Sequence, residues 1–194
     1  MPKIVDHDER RREVLSAAGR VIVRDGIDAA TSRAIAKEAG YSNGVLAHYF
    51  GDKDEILLSA LRHSHERIRE RLMRKAEGLT GLAALREVLL DNLPLDDERD
   101  RESRLEVSFW SRSLASERLA ETQRAEAGEL RAAVHDLLVQ ARDAGELSTD
   151  DGLDDLTERL LALVDGLSLH LLLYPGRLAR ADVERIMLGS LDRL

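Results

Sequence analysis

The stretch Ser32–Gly51, SRAIAKEAGYSNGVLAHYFG, holds the residues with the most chemistry to offer. Two short helical segments flank Gly40-Tyr41-Ser42. Ala36 stands four residues before Gly40, a small residue where a second helix must cross the first closely. Glycine supplies the positive φ of a tight turn at little steric cost. Ile35, Ala39, Leu46 and Tyr49 would fill the small core between the two helices. Ser42 can cap the second one, which then turns Asn43, Gly44, Val45 and Ala47 outward. Small residues on such a helix let its backbone approach the edges of bases in a DNA major groove. The same spacing also suits a plain helical hairpin inside an all-α core. The shortness of these helices and the relatively basic surroundings favour the groove.

Other chemistry is scarce. The chain has no cysteine, which excludes disulfides, thiolate nucleophiles and cysteine-ligated metals. It holds no nucleophile elbow, phosphate-cradling glycine loop or HExxH motif. No catalytic group, metal site or cofactor is therefore expected. His63 and His65 form an H-x-H, but residues two apart on a helix point in different directions, so they read as a solvated face. Asp96-Asp97-Glu98 and Asp150-Asp151 read as loop and capping residues. Phe109, Trp110 and Arg112 fall together in mid-chain, while His135, His170 and Tyr174 are polar groups on largely apolar helices. These could line a ligand cavity, apolar with a few polar anchors. For Phe109 and Trp110 the alternative is ordinary core.

The elements that must position these residues are helical throughout. Of the 194 residues, 43% are hydrophobic, 34% charged and 3% aromatic, with three prolines. That is a globular composition rather than a disordered one. Apolar positions recur at helical spacing and period-two alternation is absent. The spacing predicts helices at about 8–24, 31–39, 42–49, 53–76, 81–92, a segment ending near Leu114, 117–143, 153–173 and 181–193. The polar stretch Glu98–Arg104 is expected to precede the helix that ends at Leu114. Gly26, Gly40, Gly51, Pro94, Gly145, the turn Asp150-Asp151-Gly152, and Pro175-Gly176 punctuate them. The start, MPKIVDHDERRR, lacks the apolar core of a secretory signal. No apolar run reaches membrane-spanning length. A cytoplasmic location with no membrane partner is the expectation.

Net charge is −8, which taken alone argues against nucleic acid. The charge is uneven, however. Residues 1–53 carry 9 Lys/Arg and 8 Asp/Glu, and the rest carry 20 and 29. A boundary near residue 52 divides an expected domain 1–52 from a larger helical domain 53–194. Helix 153–173 is apolar on more than one side. One core needs only one stripe, so it and helix 181–193 are expected to pair with their copies about a two-fold axis.

From Arg11 to Leu57 the chain resembles the N-terminal domain of TetR-family transcriptional repressors. The likeness lies in REVLSAAGRVIVRDGIDAATSRAIAKEAG followed by YSNGVLAHYFGDKDEIL, in order and at the right spacing. SFWSRSL and LVDGLSLHLLL resemble the BetI-like branch. Ala47 departs from the family, many of whose members carry Tyr there. The resemblance implies an all-α fold of about nine helices, with an N-terminal helix-turn-helix domain and a C-terminal domain for effector binding and dimerisation. It implies a homodimer on a palindromic DNA operator, released by a small-molecule effector. Thr31 and Arg33 would bind phosphate at a helix N-terminus. Ser42 and Asn43 would reach phosphate or a base edge, Gly44 would line the groove, and Val45 would touch a thymine methyl. His48, Tyr49 and Lys53 would donate to phosphates. An effector pocket would lie among the middle helices, with Phe109, Trp110, Arg112, His135 and His170 as candidates. From the residues alone, a helical enzyme or a protein-binding adaptor with an N-terminal hairpin remains the alternative.

Overall fold

A computed structural model describes residues 7–149 and 151–194. Residues 1–6 and Asp150, the first residue of the expected Asp150-Asp151-Gly152 turn, lie outside the described residues. Among the described residues there are nine α-helices and no strand: α1 His7–Asp25, α2 Ser32–Ala39, α3 Asn43–Tyr49, α4 Lys53–Lys75, α5 Gly81–Asp91, α6 Asp97–Ser113, α7 Glu117–Asp143, α8 Leu153–Leu173 and α9 Arg180–Leu191.

The short helices start where side chains satisfy their orphan N–H groups. The Thr31 hydroxyl accepts from Ala34 N at 3.2 Å, Ser42 from Val45 N at 3.3 Å, and the Asp52 carboxylate from Glu55 N at 2.7 Å. Gly40 ends α2 at φ 75° and donates its N–H back into the last turn. A side chain there would strain the left-handed backbone. The charged stretch after Asp96 corrects the expectation of a leading loop. α6 already begins at Asp97, because Asp96 caps it through Arg99 N at 2.8 Å, and Asp97, Glu98 and Asp100 in its first turn oppose the positive end of its dipole.

Two hydrophobic clusters organise these helices. The first joins α1 (Val14, Leu15, Ala18, Val21, Ile22), α2 (Ile35, Ala36), α3 (Leu46), Phe50 and the first two turns of α4. It also takes Leu105 and Phe109 from α6 and Leu119 from α7. The second joins Leu85 and Leu89 of α5, Val134 and Leu138 of α7, Leu156–Leu167 of α8, and Val183, Met187 and Leu191 of α9. α4 runs from the first cluster past the second. Asp91, whose side chain is fully buried on α5, ties it there by accepting from Arg71 at 2.9 Å and Lys75 at 2.7 Å. Arg71 also pairs with Glu102 of α6 at 2.7 Å. A buried carboxylate without such partners would be strongly destabilising.

α8 is apolar on two opposite faces, as its sequence requires. One packs into the second cluster. The other carries Ala162, Gly166, Leu169 and Leu173 at helical spacing; Gly166 and Leu169 are half-buried, Ala162 is exposed, and Leu173 is 56% exposed. A Cβ added at Gly166 would meet nothing within 4 Å, so no contact inside this chain demands a glycine there. No helix among the described residues is long and apolar enough to cross a membrane.

Candidate nucleic-acid interface

α2 and α3 meet through Ile35, Ala36 and Leu46, each no more than 2% exposed. With that side of α3 fixed inward, helical geometry turns Asn43, Gly44, Ala47 and His48 outward, and all four are exposed. Val45 is half-buried. Arg33 is exposed one residue into α2, and Thr31 caps it. The capping hydroxyls of Thr31 and Ser42 accept from backbone N–H, which leaves each O–H proton able to donate outward. Lys53 opens α4 and donates its ammonium to the Asp28 carbonyl at 3.2 Å. This places it beside the loop between α1 and α2.

Tyr49 is divided between two roles. Its ring packs on the first cluster, and its hydroxyl lies 3.0 Å from His7 Nδ1. Phe50 is core, 3% exposed, with the Arg11 guanidinium 4.5 Å above its ring. The sequence predicts α1 but not two residues at its head that face this surface. His7 and Arg10 share an open groove with Ser42, Gly44, Val45, His48 and Tyr49. A basic residue one helical turn from a histidine at the head of α1 was the available signal.

The five residues expected to line a ligand pocket do not meet in one place. Phe109 is fully buried in the first cluster. Arg112 pairs with Asp28 at 2.8 Å, reaching from α6 to the loop beside α2. His135 lies among Asp136 and Asp154 on the outer side of α7. His170 packs edge-on against Tyr174 at the end of α8. Only Trp110 joins a buried polar cluster. Its indole N–H donates to Glu106 Oε1 at 3.1 Å, and Gln123 Nε2 donates to the same oxygen at 2.6 Å.

The other Glu106 oxygen lies 2.8 Å from His65 Nε2. This corrects the reading of His63 and His65 as a solvated face. Each side chain is only 14% exposed, His63 lying against Ser16 of α1 and His65 against Glu106 and Glu126. Two residues apart on α4, they point to different neighbours, so they do not share a ligand. No cluster suited to a metal ion occurs among the described residues. Burial raises the Glu106 carboxyl, but the hydrogen bond and charge of His65 outweigh it and hold Glu106 below the ordinary carboxylate range. Burial also disfavours the charged His65 ring, yet Glu106 and then Glu126 raise it above the ordinary histidine value. Asp165 on α8 is raised, first by burial and then by the charge of Glu106.

A capped two-helix unit with an outward second helix, joined by one long helix to the remaining helices, defines a helix-turn-helix DNA-binding protein. Residues 14–60 match the bacterial regulatory proteins of the tetR family, and residues 81–194 match the BetI-type transcriptional repressor C-terminal domain. The chain belongs to the TetR family of transcriptional regulators, and the enzyme alternative falls with that. It is 32% identical to the transcriptional regulator PksA of Bacillus subtilis, covering 100% of this chain and 94% of that one. It is 30% identical to the regulator BetI of Stenotrophomonas maltophilia, covering 99% and 96%. In fold it is similar to a protein of Saccharomonospora viridis crystallised with choline, at a TM-score of 0.89 and 22% identity over 96% of this chain and 97% of that one.

Proposed function

We propose that this regulator is a repressor: a homodimer that binds a palindromic operator and lets go when a small organic cation enters its C-terminal domain. The observation that carries the DNA-binding part is the exposed face of α3, Asn43-Gly44-Ala47-His48, held outward by the burial of Leu46. Residues 1–52 serve as the DNA-binding part and 53–194 as the effector and dimer part. Arg33, Lys53 and the O–H groups of Thr31 and Ser42 position the unit on phosphates, and His48 and the Tyr49 hydroxyl add donors. Asn43 reads a base edge and Val45 a methyl. Two copies place two such helices on half-sites one helical turn apart, and the second apolar face of α8, with α9 beside it, supplies the pairing surface.

The test is binding to the DNA upstream of the protein's own gene, followed by anisotropy over a range of salt. Arg33→Ala and Lys53→Ala should each weaken binding to all sequences and lower the salt slope by about 1. Asn43→Ala should instead relax base preference by about 1–3 kcal/mol. Parent-like binding by all three variants defeats the assignment.

The effector reading rests on the Glu106 cluster. Two carboxylates, Glu106 and Glu126, meet there beside the chain's one tryptophan, with Asp165 close enough for its charge to interact with Glu106. Carboxylates neutralise a cation, and an indole face attracts one. The choline held by the Saccharomonospora viridis protein supports that class of ligand. Trp110 fluorescence should change when choline is added, and Trp110→Ala should blunt release of DNA while leaving operator affinity nearly unchanged. Unaltered release in Trp110→Ala moves the effector site elsewhere.

A further inference from the structure

His65 lies between two carboxylates from different helices. Its ring lies between Glu106 Oε2 at 2.8 Å and Glu126 Oε2 at 3.3 Å. The second approach is an ion-pair distance only, and Nδ1 is buried with no hydrogen bond. Gln123, which holds Glu106 through its amide nitrogen, has its own Oε1 buried with no partner. Polar atoms left unmatched in the interior mark an arrangement that another occupant could satisfy better.

We propose that the effector is an organic cation that displaces the His65 ring from between Glu106 and Glu126, and that the ring gives up its proton to solvent as it leaves. This rests on the reading of the cluster as the effector site. In the resting protein the imidazolium neutralises the carboxylates. In the bound protein the ligand's charge does so, and above the ordinary histidine value His65 ends as neutral imidazole, up to one proton being released for each cation bound.

The charged groups around His65 set the sign. Glu106 faces it from α6 and Glu126 from α7. From α4 itself Arg69 donates to Glu126 at 2.6 Å, and from α8 Asp165 acts through Glu106. α1 meets α4 at His63, and α5 meets it at Arg71 and Lys75, both away from this ring. Glu106 and Glu126 hold the proton of the resting ring more firmly than water would, despite its burial. Cation affinity therefore rises with pH, by up to tenfold for each unit when one proton is exchanged, and levels off once the free ring is neutral. His65 is one of several ties of α4 to α6 and α7, beside Arg71–Glu102 and Arg69–Glu126. Its loss loosens the helix whose first residue, Lys53, stands at the DNA-binding unit.

Calorimetric titration of choline chloride, and separately of tetramethylammonium chloride, into the intact protein counts the protons. Runs at pH 6, 7 and 8 use two buffers of different ionisation heat. Proton release should be small at pH 6, where a solvated imidazole keeps its proton, and larger at pH 7, and affinity should rise with pH by less than tenfold per unit. Spectra of the ¹⁵N-histidine-labelled protein identify the group, the His65 signal being assigned by its loss in His65→Gln. That signal should pass from imidazolium to neutral imidazole on saturation with choline. A cation that binds while His65 stays imidazolium overturns the displacement and leaves the cation reading intact. Proton release that vanishes in Asp165→Asn, with the His65 signal unmoved, assigns the linkage to Asp165 and overturns it too. No binding of either cation at any pH sinks the cation reading and the displacement with it.

Discussion

Leu169→Glu should turn the protein into a monomer and weaken operator binding by about 10²–10⁴-fold, the range lost when two linked sites become one. Leu169 lies on one α8 face with Ala162, Gly166 and Leu173, opposite the side packed into the second cluster. Leu169 is half-buried and belongs to neither buried cluster, so the circular dichroism of the monomer should remain helical. In the dimer, two such carboxylates would face each other in an apolar seam, where burying like charges is prohibitive. Gly166 sharpens the reading. A glycine in mid-helix costs about 1 kcal/mol relative to alanine, and nothing within the chain crowds its position. A close approach by a second copy gives it a reason to be there. Sedimentation at micromolar concentration checks the assembly. A Leu169→Glu protein that still sediments as a dimer with parental operator affinity places the pairing surface elsewhere.

Phe109→Ala should lower stability by about 3–5 kcal/mol, the usual cost of deleting a fully buried aromatic ring. For a chain of this size that is a fall in Tm on the order of 10 °C, read at fixed protein concentration because the proposed dimerisation would also move the midpoint. The ring has no exposed surface and sits in the first cluster among residues of α1 and α4, although it belongs to α6. The loss should therefore fall on the attachment of α6 to the DNA-binding unit. Phe109→Leu, which keeps most of the volume, should recover most of it. Choline affinity should change little in Phe109→Leu, because the Phe109 ring is fully buried in the first cluster. If Phe109→Leu instead abolished choline binding at unchanged Tm, the ring would be a ligand contact and its place in the core would need another explanation.

The helices, their caps and the turn between α2 and α3 were legible in the sequence because each is a local matter. Periodicity of 3.6 marks a helix within a few turns. Thr31, Ser42 and Asp52 cap whatever helix follows them, and Gly40 meets a backbone angle set by its neighbours. The second apolar face of α8 was legible for the same reason. The beginning of α6 was not, since the charged run from Asp97 to Arg104 reads as loop until Asp96 is seen to cap it. Which side chains meet was decided by tertiary packing alone. Phe109 and Trp110 are adjacent, and one helical step of about 100° sends the first into the core of the DNA-binding unit and the second towards Glu106. His65, Glu106, Gln123 and Glu126 come from three helices, and nothing in the spacing of residue 65 announces partners 41, 58 and 61 positions later. A helical pattern reports that a face is turned inward. It does not report which neighbour it meets, because that depends on the crossing of whole helices and on every side chain that sets their separation.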